Sequence, residues 1–250
     1  MSDLPSSQLP DCRRPFKRVL IKLSGEALGG KDGSGLDPKV LAYIATEIKA
    51  VHDSGVAVAV VVGGGNFIRG DAFSEEAHID RTVADQMGML GTLLNALALQ
   101  SAIERAGVAV RVQSAIAVAQ VAESFIRRRA LRHLEKERVV VFASGTGNPY
   151  FTTDTAAVLR ALEMEADVLI KATKVDGVYD KDPKRHTDAV RYTTLEYSEA
   201  ISRRLAVMDE TAFTMCREHT LPVIVLDFNQ PGALLKAVTG QDVGTLVGGA

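Results

Sequence analysis

Short apolar runs alternate with longer segments of helical spacing along most of the chain. The clearest run, residues 56–62 (VAVAVVV), has no polar position, which is typical of a strand buried on both faces of a parallel sheet. Similar runs predict further strands at residues 16–23, 108–112, 139–143, 167–172 and 223–227, and a last one near Leu246.

Segments with helical spacing fill the intervals between these strands. Asp37 and Pro38 supply an N-cap and a first-turn proline for a helix that ends near Asp53. The other predicted helices cover residues 78–106, 122–134, 207–220 and 231–239, together with one that Thr152 or Thr153 caps and that runs to about residue 164. The alternation predicts an α/β fold, a three-layer sandwich whose mainly parallel sheet has helices on both faces.

The predicted elements form a single domain over residues 16–250, whereas residues 1–15 are polar, contain three prolines and are interpreted as a flexible extension. The formal net charge of −2 and the 5% aromatic content argue against a nucleic-acid partner. Apolar runs are too short for a membrane span. Only two cysteines, Cys12 and Cys216, are present, so we expect a reducing, cytoplasmic location.

Four predicted strands end in loops rich in glycine, threonine, lysine and aspartate, at residues 22–25, 63–70, 145–155 and 171–182. The carboxyl ends of parallel strands meet at one edge of a sheet, where ligands of such folds bind. Glycines there let backbone N–H groups approach phosphate oxygens, and Lys22 and Arg69 add positive charge. Taken alone, Lys22 is equally well interpreted as a surface lysine at a strand end.

Known nucleotide fingerprints do not fit these loops. Residues 25–32 (GEALGGKD) approach the P-loop pattern, but Asp32 stands where a hydroxyl should hold Mg²⁺. The sequence has no G-x-G-x-x-G, no H-E-x-x-H and no G-x-S-x-G. The residues therefore predict a phosphate-handling α/β enzyme that lacks a P-loop.

Five ordered motifs carry a resemblance to a known family. KLSGEAL from Lys22, GGGNFIRG from Gly63, ADQMGM from Ala84, GTGNPYFTTD from Gly145 and KATKVDGVYDKDP from Lys171 resemble the bacterial uridylate kinases of the amino acid kinase family. The resemblance begins near residue 17 and covers nearly all of the remaining chain. It implies an amino acid kinase-like fold and transfer of the γ-phosphoryl group of MgATP to UMP, which gives UDP and ADP in pyrimidine nucleotide biosynthesis.

The resemblance also implies roles for the residues that match the family motifs. It implies that Lys22, Arg69 and Asp154 are catalytic. The positions implied for ATP are Lys22, Leu23, Ser24, Gly25, Gly65, Arg69, Thr173, Tyr179 and Asp182. Those implied for UMP are Gly64, Asp85, Thr146, Gly147, Asn148, Pro149, Tyr150, Phe151, Thr152 and Thr153. The N-terminal part of the domain would thus mainly bind UMP and the C-terminal part ATP. Mg²⁺ would arrive with ATP and be held mainly by nucleotide phosphates, without a dedicated protein metal site.

The resemblance further implies a homohexamer that GTP activates and UTP inhibits. The activator region matches a glycine-rich loop that comprises Gly30, Lys31, Asp32, Gly33, Ser34 and Gly35. The long helix at residues 78–106 either forms a dimer surface or is simply buried in the core.

Several assignments stay open at this stage. Lys171 is either a second catalytic lysine or a strand-end lysine near ATP, and Tyr179 is either an adenine neighbour or a packing aromatic. Asp85 is favoured over Asp80 and Arg81 as a ribose contact, and Asp209 matches a family acidic position without an assigned role. The alternative functions are another acid-group kinase of this fold and a non-catalytic nucleotide-binding protein.

Overall fold

The computed structural model describes residues 15–30, 33–68, 78–183, 185–203, 205 and 207–249. The strands are β1 (Arg18–Leu23), β2 (Ala57–Val62), β3 (Val110–Ser114), β4 (Glu123–Ser124), β5 (Val139–Ala143), β6 (Val168–Thr173), β7 (Thr194–Leu195), β8 (Val223–Asp227) and β9 (Thr245–Val247). The helices are α1 (Pro38–Asp53), α2 (Arg81–Arg105), α3 (Arg127–Glu135), α4 (Thr153–Glu163), α5 (Tyr197–Ser202), α6 (Glu210–Glu218) and α7 (Ala233–Val238), with a 3₁₀ turn at Gly25–Ala27.

Within the described residues, the strands form one nine-stranded sheet in the order β4-β3-β5-β2-β1-β6-β8-β9-β7. Every neighbouring pair is parallel except β8 and β9, which run antiparallel. The prediction of a mainly parallel α/β sheet is therefore confirmed.

Successive side chains of each strand point to opposite faces of the sheet, so the domain has two apolar cores. Val19, Ile21 and Leu23 of β1 pack with α1, α2 and α7 on one face. Leu20 belongs to the other core, with α3, α4, α5 and α6. Lys22 follows the same alternation and projects to the face of α4, at the carboxyl end of its strand.

Helix boundaries follow the capping residues. The Asp37 carboxylate accepts the N–H of Lys39 at the start of α1, and the Asp80 carboxylate accepts that of Thr82 at the start of α2. The helix expected from residue 122 instead begins at Arg127, because Glu123 and Ser124 pair with β3 as a short edge strand. α6 begins at Glu210 rather than near residue 207, because Asp209 caps it.

Two short elements, α5 and β7, lie outside the sequence prediction. Each is too short to produce a recognisable hydrophobic period. β7 is the edge strand of the sheet beside β9, α5 packs on the sheet, and their residues Leu195 and Tyr197 are almost completely buried. In the described part of the chain, no helix combines the length and the apolar character needed to cross a membrane.

Candidate active site

The four glycine-rich loops follow β1, β2, β5 and β6, which are direct neighbours in the order β5-β2-β1-β6. All four strands are parallel, so their carboxyl ends lie at one edge of the sheet. The expectation that these loops share an edge is confirmed, and the loops form the floor of the candidate site.

Two lysines at this edge share one carboxylate. Lys22 and Lys171 are paired in register on β1 and β6, so their side chains project from the same face of the sheet. The Nζ of Lys22 lies 2.7 Å from Oδ1 of Asp154, and the Nζ of Lys171 lies 2.7 Å from its Oδ2. The three side chains are only 10%, 17% and 13% exposed for Lys22, Lys171 and Asp154, respectively. We call these three residues the charged centre.

The combined effect of burial and neighbouring charges lowers the pKa values of both Asp154 and Lys171. Burial disfavours the charge of Asp154, but Lys22 and Lys171 outweigh burial and hold the pKa of this carboxyl below its ordinary value. Burial, together with the charge of Lys22, lowers the pKa of Lys171, and Asp154 offsets this only in part. The two ammonium groups and one carboxylate leave a net positive charge facing the strand ends, which suits polyanionic ligands.

Helix starts hold the charged centre in place. The Thr152 hydroxyl accepts the backbone N–H groups of Asp154 and Thr155 and so caps α4. The same hydroxyl donates to Asp209, which in turn caps α6 by accepting the N–H of Ala212 at 2.9 Å. Asp209, whose role the sequence left open, therefore joins the starts of α4 and α6. Lys171 also donates to the carbonyl of Val207 just before this cap.

Close main-chain packing explains three glycines of the floor. A Cβ atom on Gly25 would lie 2.6 Å from the amide nitrogen of Gly65, and one on Gly63 would lie 2.7 Å from that of Gly25. A Cβ atom on Gly64 would lie 2.4 Å from the carbonyl oxygen of Gly88 in α2. The loops after β1 and β2 and the start of α2 thus approach each other as closely as only glycine permits.

A cavity of about 490 Å³ opens beside this floor, between the loops after β2 and β5 and the start of α2. Its volume falls in the range of small-molecule sites. The lining comprises Gly64, Gly65, Ile68, Arg81, Asp85, Gly88, Met89, Thr92, Gly145, Thr146, Asn148, Phe151, Thr152 and Thr153. We call it the acceptor cavity.

Most positions implied for UMP are near this cavity. Gly64, Asp85, Thr146, Asn148 and residues 151–153 line it. Among the described residues, Gly147, Pro149 and Tyr150 belong to the same loop but not to the lining. Tyr150 nevertheless fixes the wall, because its backbone N–H donates to Asp85 Oδ2 at 2.8 Å.

The Asp85 carboxylate binds both the backbone N–H of Tyr150 and the side chain of Arg81. The Nε of Arg81 lies 2.9 Å from Asp85 Oδ1, and its guanidinium carbon lies 5.6 Å from the centre of the Tyr150 ring. From the sequence, Asp85 was favoured over Arg81 as a site residue, but Arg81 also lies in the cavity wall. Asp80, by contrast, is the N-cap of α2.

Three of the positions implied for ATP, Thr173, Tyr179 and Asp182, lie on the other side of the charged centre, at the end of β6 and in the loop that follows it. The Thr173 hydroxyl donates to the carbonyl of Val175 at 2.7 Å and so shapes this loop. The Tyr179 hydroxyl donates to Asp176 Oδ1 at 2.7 Å, which raises the pKa of Tyr179. Asp182 lies further along, with its carboxylate 3.5 Å from Arg185.

Three predicted positions, Arg69, Lys31 and Asp32, lie outside the described residues. The rest of the activator-matching loop is described. Gly35 of this loop exchanges hydrogen bonds with Asn66, since its N–H donates to the Asn66 carbonyl at 3.0 Å and its own carbonyl accepts Asn66 Nδ2 at 2.6 Å.

The sequence reading missed part of the cavity wall. Gly88, Met89 and Thr92 of α2 line the acceptor cavity together with Asp85. Their spacing of three or four residues places them on one helix face, and that spacing is the signal that could have identified them. Ile68 and Gly145 also line the cavity, and they lie within the motifs that begin at Gly63 and Gly145.

The carboxylates of the site are engaged by the protein itself. Both oxygens of Asp154 face lysines, and Asp209 accepts hydrogen bonds from Thr152, Thr155 and Ala212. Over the described residues, no group of three or more His, Cys, Asp or Glu side chains could hold a metal ion.

Comparisons with known proteins agree with this geometry. Residues 17–227 match the amino acid kinase family. The structure is similar to that of UMP kinase from Bacillus anthracis, with 42% identity, a TM-score of 0.91 and coverage of 94% of this chain and 97% of that chain. It is also similar to UMP kinase from Ureaplasma parvum (35% identity, TM-score 0.88, 93% and 98% coverage). Uridylate kinase from Archaeoglobus fulgidus matches at 32% identity and a TM-score of 0.70, with 92% and 99% coverage.

Proposed function

This chain belongs to the amino acid kinase family, and we propose that it transfers the γ-phosphoryl group of ATP to UMP, giving UDP and ADP. The single observation that carries the proposal is the position of the charged centre. Asp154 follows directly after Thr152 and Thr153, which line the acceptor cavity. It also binds Lys22 at the sheet edge from which the loops after β1 and β6 begin, and these loops contain the positions implied for ATP. Positive charge therefore lies between the two proposed substrate sites.

The chemistry of the reaction matches what these residues offer. The acceptor is a phosphate with a second pKa near 6, so at neutral pH it is largely ionised and needs no strong general base. The difficulty is to bring two polyanions together and to stabilise charge in a loose transition state. Lys22 faces the donor phosphates, and Asp154 fixes the directions of the Lys22 and Lys171 ammonium groups. Backbone N–H groups of the glycine-rich loops add dipoles that need no reorganisation.

We assign the acceptor cavity to UMP and the loop after β6 to adenosine. In support, Asp85 lies in the cavity wall, and a carboxylate there can accept ribose hydroxyl groups. Thr173, Tyr179 and Asp182 would contact the adenosine moiety, and Arg69 would contact the ATP phosphates. The N-terminal part of the domain, residues 16–163, thus supplies most of the UMP site.

Mg²⁺ enters this scheme as part of the substrate MgATP. The nucleotide phosphates would hold it, because the nearby carboxylates already bind lysines and helix N–H groups. The ion would supply charge neutralisation between the phosphates. On the protein side, Lys22 and the loop N–H groups orient the same phosphates.

Self-association as a homohexamer is part of the proposal. An apolar row on the outer face of α2 supports it, because Val83, Leu90 and Leu94 are 45%, 48% and 52% exposed. In the long helix that was predicted to be either core or dimer surface, Leu90 and Leu94 therefore lie outside the core. Light scattering at micromolar concentration tests the assembly, and a monomer would contradict it.

Regulation by nucleotides belongs to the same proposal, with GTP as activator and UTP as inhibitor. The contact between Gly35 of the activator-matching loop and Asn66 beside the acceptor cavity supports a link between the two places. We also place the activity in the cytoplasm, consistent with a chain of two cysteines in which Cys216 is a buried free thiol.

The test of the function is ADP release from MgATP with UMP, CMP, dCMP and acetylglutamate measured in parallel. We expect rapid release with UMP and much slower release with the other acceptors. Equal rates with CMP would overturn the specificity, and a preference for acetylglutamate would indicate an acid-group kinase instead. No release with any acceptor would support a non-catalytic nucleotide-binding protein.

A further inference from the structure

A pair of buried amide side chains lies beneath the turn that follows β2, which comprises residues 63–66 and which we call the glycine turn. Asn95, in the middle of α2, is 0% exposed, and Asn66, the last residue of the turn, is 4% exposed. Burial of a polar amide is unfavourable unless its hydrogen bonds are formed. Apolar side chains would fill the same space without this requirement, so the pair calls for an explanation.

Every amide hydrogen of the pair has an acceptor. Asn66 Nδ2 donates to Asn95 Oδ1 at 2.9 Å, and Asn95 Nδ2 donates to Asn66 Oδ1 at 2.7 Å. The remaining hydrogen of Asn95 donates to the carbonyl of Gly63 at 2.7 Å, and that of Asn66 donates to the carbonyl of Gly35 at 2.6 Å. Such a network is satisfied in one arrangement only, so it specifies the position of the glycine turn.

The glycine turn separates the two proposed substrate sites. Gly64 lines the acceptor cavity, and Gly63 packs so closely on the loop after β1 that an added Cβ would lie 2.7 Å from the amide nitrogen of Gly25. Asn66 itself abuts Gly25, since a Cβ there would lie 2.5 Å from Asn66 Oδ1. A displacement of the turn would therefore disturb the donor loop and the acceptor cavity together.

Asn95, Thr92 and Asp85 are polar side chains of α2 that hold neighbouring segments of the chain. Asp85 accepts the N–H of Tyr150, Thr92 accepts the N–H of Ser144 at 2.6 Å, and Asn95 donates to Gly63. Thr92 and Asp85 hold the loop after β5, which belongs to the acceptor side. Of these three, Asn95 holds the turn that both sites share.

We propose that Asn95, acting through Asn66, is a positioning residue that fixes the glycine turn for both substrates. This inference rests on the proposed function, because it takes the acceptor cavity as the UMP site and the loop after β1 as a contact of the ATP phosphates. Neither amide needs to contact a reacting atom. A misplacement of such a turn by about 1 Å can lower the rate by on the order of 10²-fold.

The experiment compares three variants by steady-state kinetics with MgATP and UMP. We expect Asn95→Leu to raise the KM values of both substrates several-fold and to lower kcat by about 10-fold or more. Thr92→Val, which removes only the hydroxyl that holds Ser144, should raise the KM of UMP and leave that of ATP within about twofold. If Asn95→Leu raised only one KM or neither, the proposal would be overturned.

The double variant Asn66→Leu/Asn95→Leu separates positioning from folding. Replacement of both partners removes the orphaned amide of the single variant, so we expect its Tm to exceed that of Asn95→Leu. Its kcat/KM should stay low, because the turn has lost its hydrogen bonds to α2. Recovery of kcat/KM in parallel with Tm would show that the pair serves only the stability of the fold.

The matched control is Gln113→Leu, which replaces another fully buried amide, in β3, whose hydrogen bond runs to Glu123 rather than to the site. It should lower Tm without changing the ratio of the two KM values.

Calorimetric binding of MgADP is measured in parallel. If the wild-type protein failed to phosphorylate UMP, the proposed function would fall. MgADP binding that was weakened by Asn95→Leu but not by Gln113→Leu would then still support the positioning role, and unchanged binding would refute it.

Discussion

The charged centre and the acceptor cavity lie side by side but are built from different interactions. Lys22, Asp154 and Lys171 form two ion pairs at 2.7 Å with little exposure to solvent. The cavity beside them is lined by glycines, hydroxyl groups, an amide and apolar side chains, together with the Arg81–Asp85 ion pair on its rim. Charge thus organises the side of the site proposed for ATP, the phosphoryl donor. Close packing and neutral hydrogen bonds organise most of the side proposed for UMP, the phosphoryl acceptor.

This difference follows from the strength and range of the two kinds of interaction. Charge acts over several ångströms, so Lys22 can stabilise phosphate oxygens without an exact fit. Neutral hydrogen bonds and contacts act only at short range and therefore depend on how closely α2 and the loops approach. Substitutions on the donor side should mainly change kcat and electrostatic stability, whereas those on the acceptor side should mainly change geometry and KM.

The largest effect is expected from loss of the donor-side lysine. Lys22→Ala should lower kcat/KM by about 10²–10³-fold, by analogy with the loss of one preorganised donor to a developing charge. ADP release with UMP as acceptor measures it, and Lys39→Ala on the exposed start of α1 is the surface-lysine control. Turnover close to normal in Lys22→Ala would remove the charged centre from the mechanism.

Loss of the shared carboxylate should come next and should depend on pH. Asp154→Asn leaves two buried ammonium groups without their partner, and we expect it to lower the free energy of unfolding by about 3 kcal/mol at neutral pH. The folded-state pKa of Asp154 lies below its ordinary 3.8. Its stabilisation is therefore fully present above about pH 5 and is lost as the pH falls through 3.8 and below.

Denaturant unfolding of the wild type and Asp154→Asn across this range measures the difference. The difference in unfolding free energy between the wild type and Asp154→Asn should become smaller as the pH falls. A gap that stayed constant down to about pH 3 would argue that packing, rather than charge, accounts for the role of Asp154.

A steric substitution on the acceptor side should have an intermediate effect. Gly64→Ala places a Cβ 2.4 Å from the carbonyl oxygen of Gly88, so α2 must move outward. We expect the free energy of unfolding to fall by about 2 kcal/mol. The KM of UMP should rise more than that of ATP, which steady-state kinetics would measure.

The stability control for this substitution is Gly88→Ala in the same helix. Its new Cβ would be 3.8 Å from its nearest neighbour, the Ile68 carbonyl oxygen, so alanine fits there. Since alanine favours a helix over glycine, this variant should be more stable by up to about 1 kcal/mol. Equal destabilisation by both substitutions would contradict the packing account.

The smallest effect is expected at the junction of α4 and α6. Thr155→Val keeps the shape of a buried side chain but removes the hydroxyl that donates to Asp209 at 3.2 Å. Because Asp209 retains Thr152 and the N–H of Ala212, the loss should be about 1 kcal/mol in unfolding free energy. Thermal unfolding measures this, and a loss as large as that of Asp154→Asn would mean that neutral hydrogen bonds rival the charged centre.

Strong local signals account for what was predicted correctly. The apolar run of β2 and the Asp37–Pro38 start of α1 follow from patterns within a few residues. The mainly parallel sheet follows from the alternation of predicted strands and helices along the chain. Lys22 and Asp154 were named through family motifs, and the structure brings them to 2.7 Å. Where local signals were weak, as at the edge strand β4 and the six-residue helix α5, the prediction failed.

The role of a side chain was harder to predict than its position along the chain. Lys171 remained ambiguous because its register with Lys22 depends on the pairing of β1 and β6, which are separated by some 150 residues. The same holds for Asn95, which meets Asn66 only once α2 packs over β2. These contacts depend on the packing of residues that are far apart in the sequence. The periodic spacing of apolar residues carries no information about such packing.

The sequence by itself determined most of the strands and helices, and the glycine-rich loops with their lysines, because these depend on the chemistry of residues that are close together in the sequence. The tertiary structure alone decided that Lys22 and Lys171 share Asp154, and that Asp209 joins two helix starts. It also decided that α2 carries the wall of the acceptor cavity on one face and an exposed apolar row on the other. The physical reason is that ion pairs and hydrogen bonds act over a few ångströms, and only folding brings distant residues within that range.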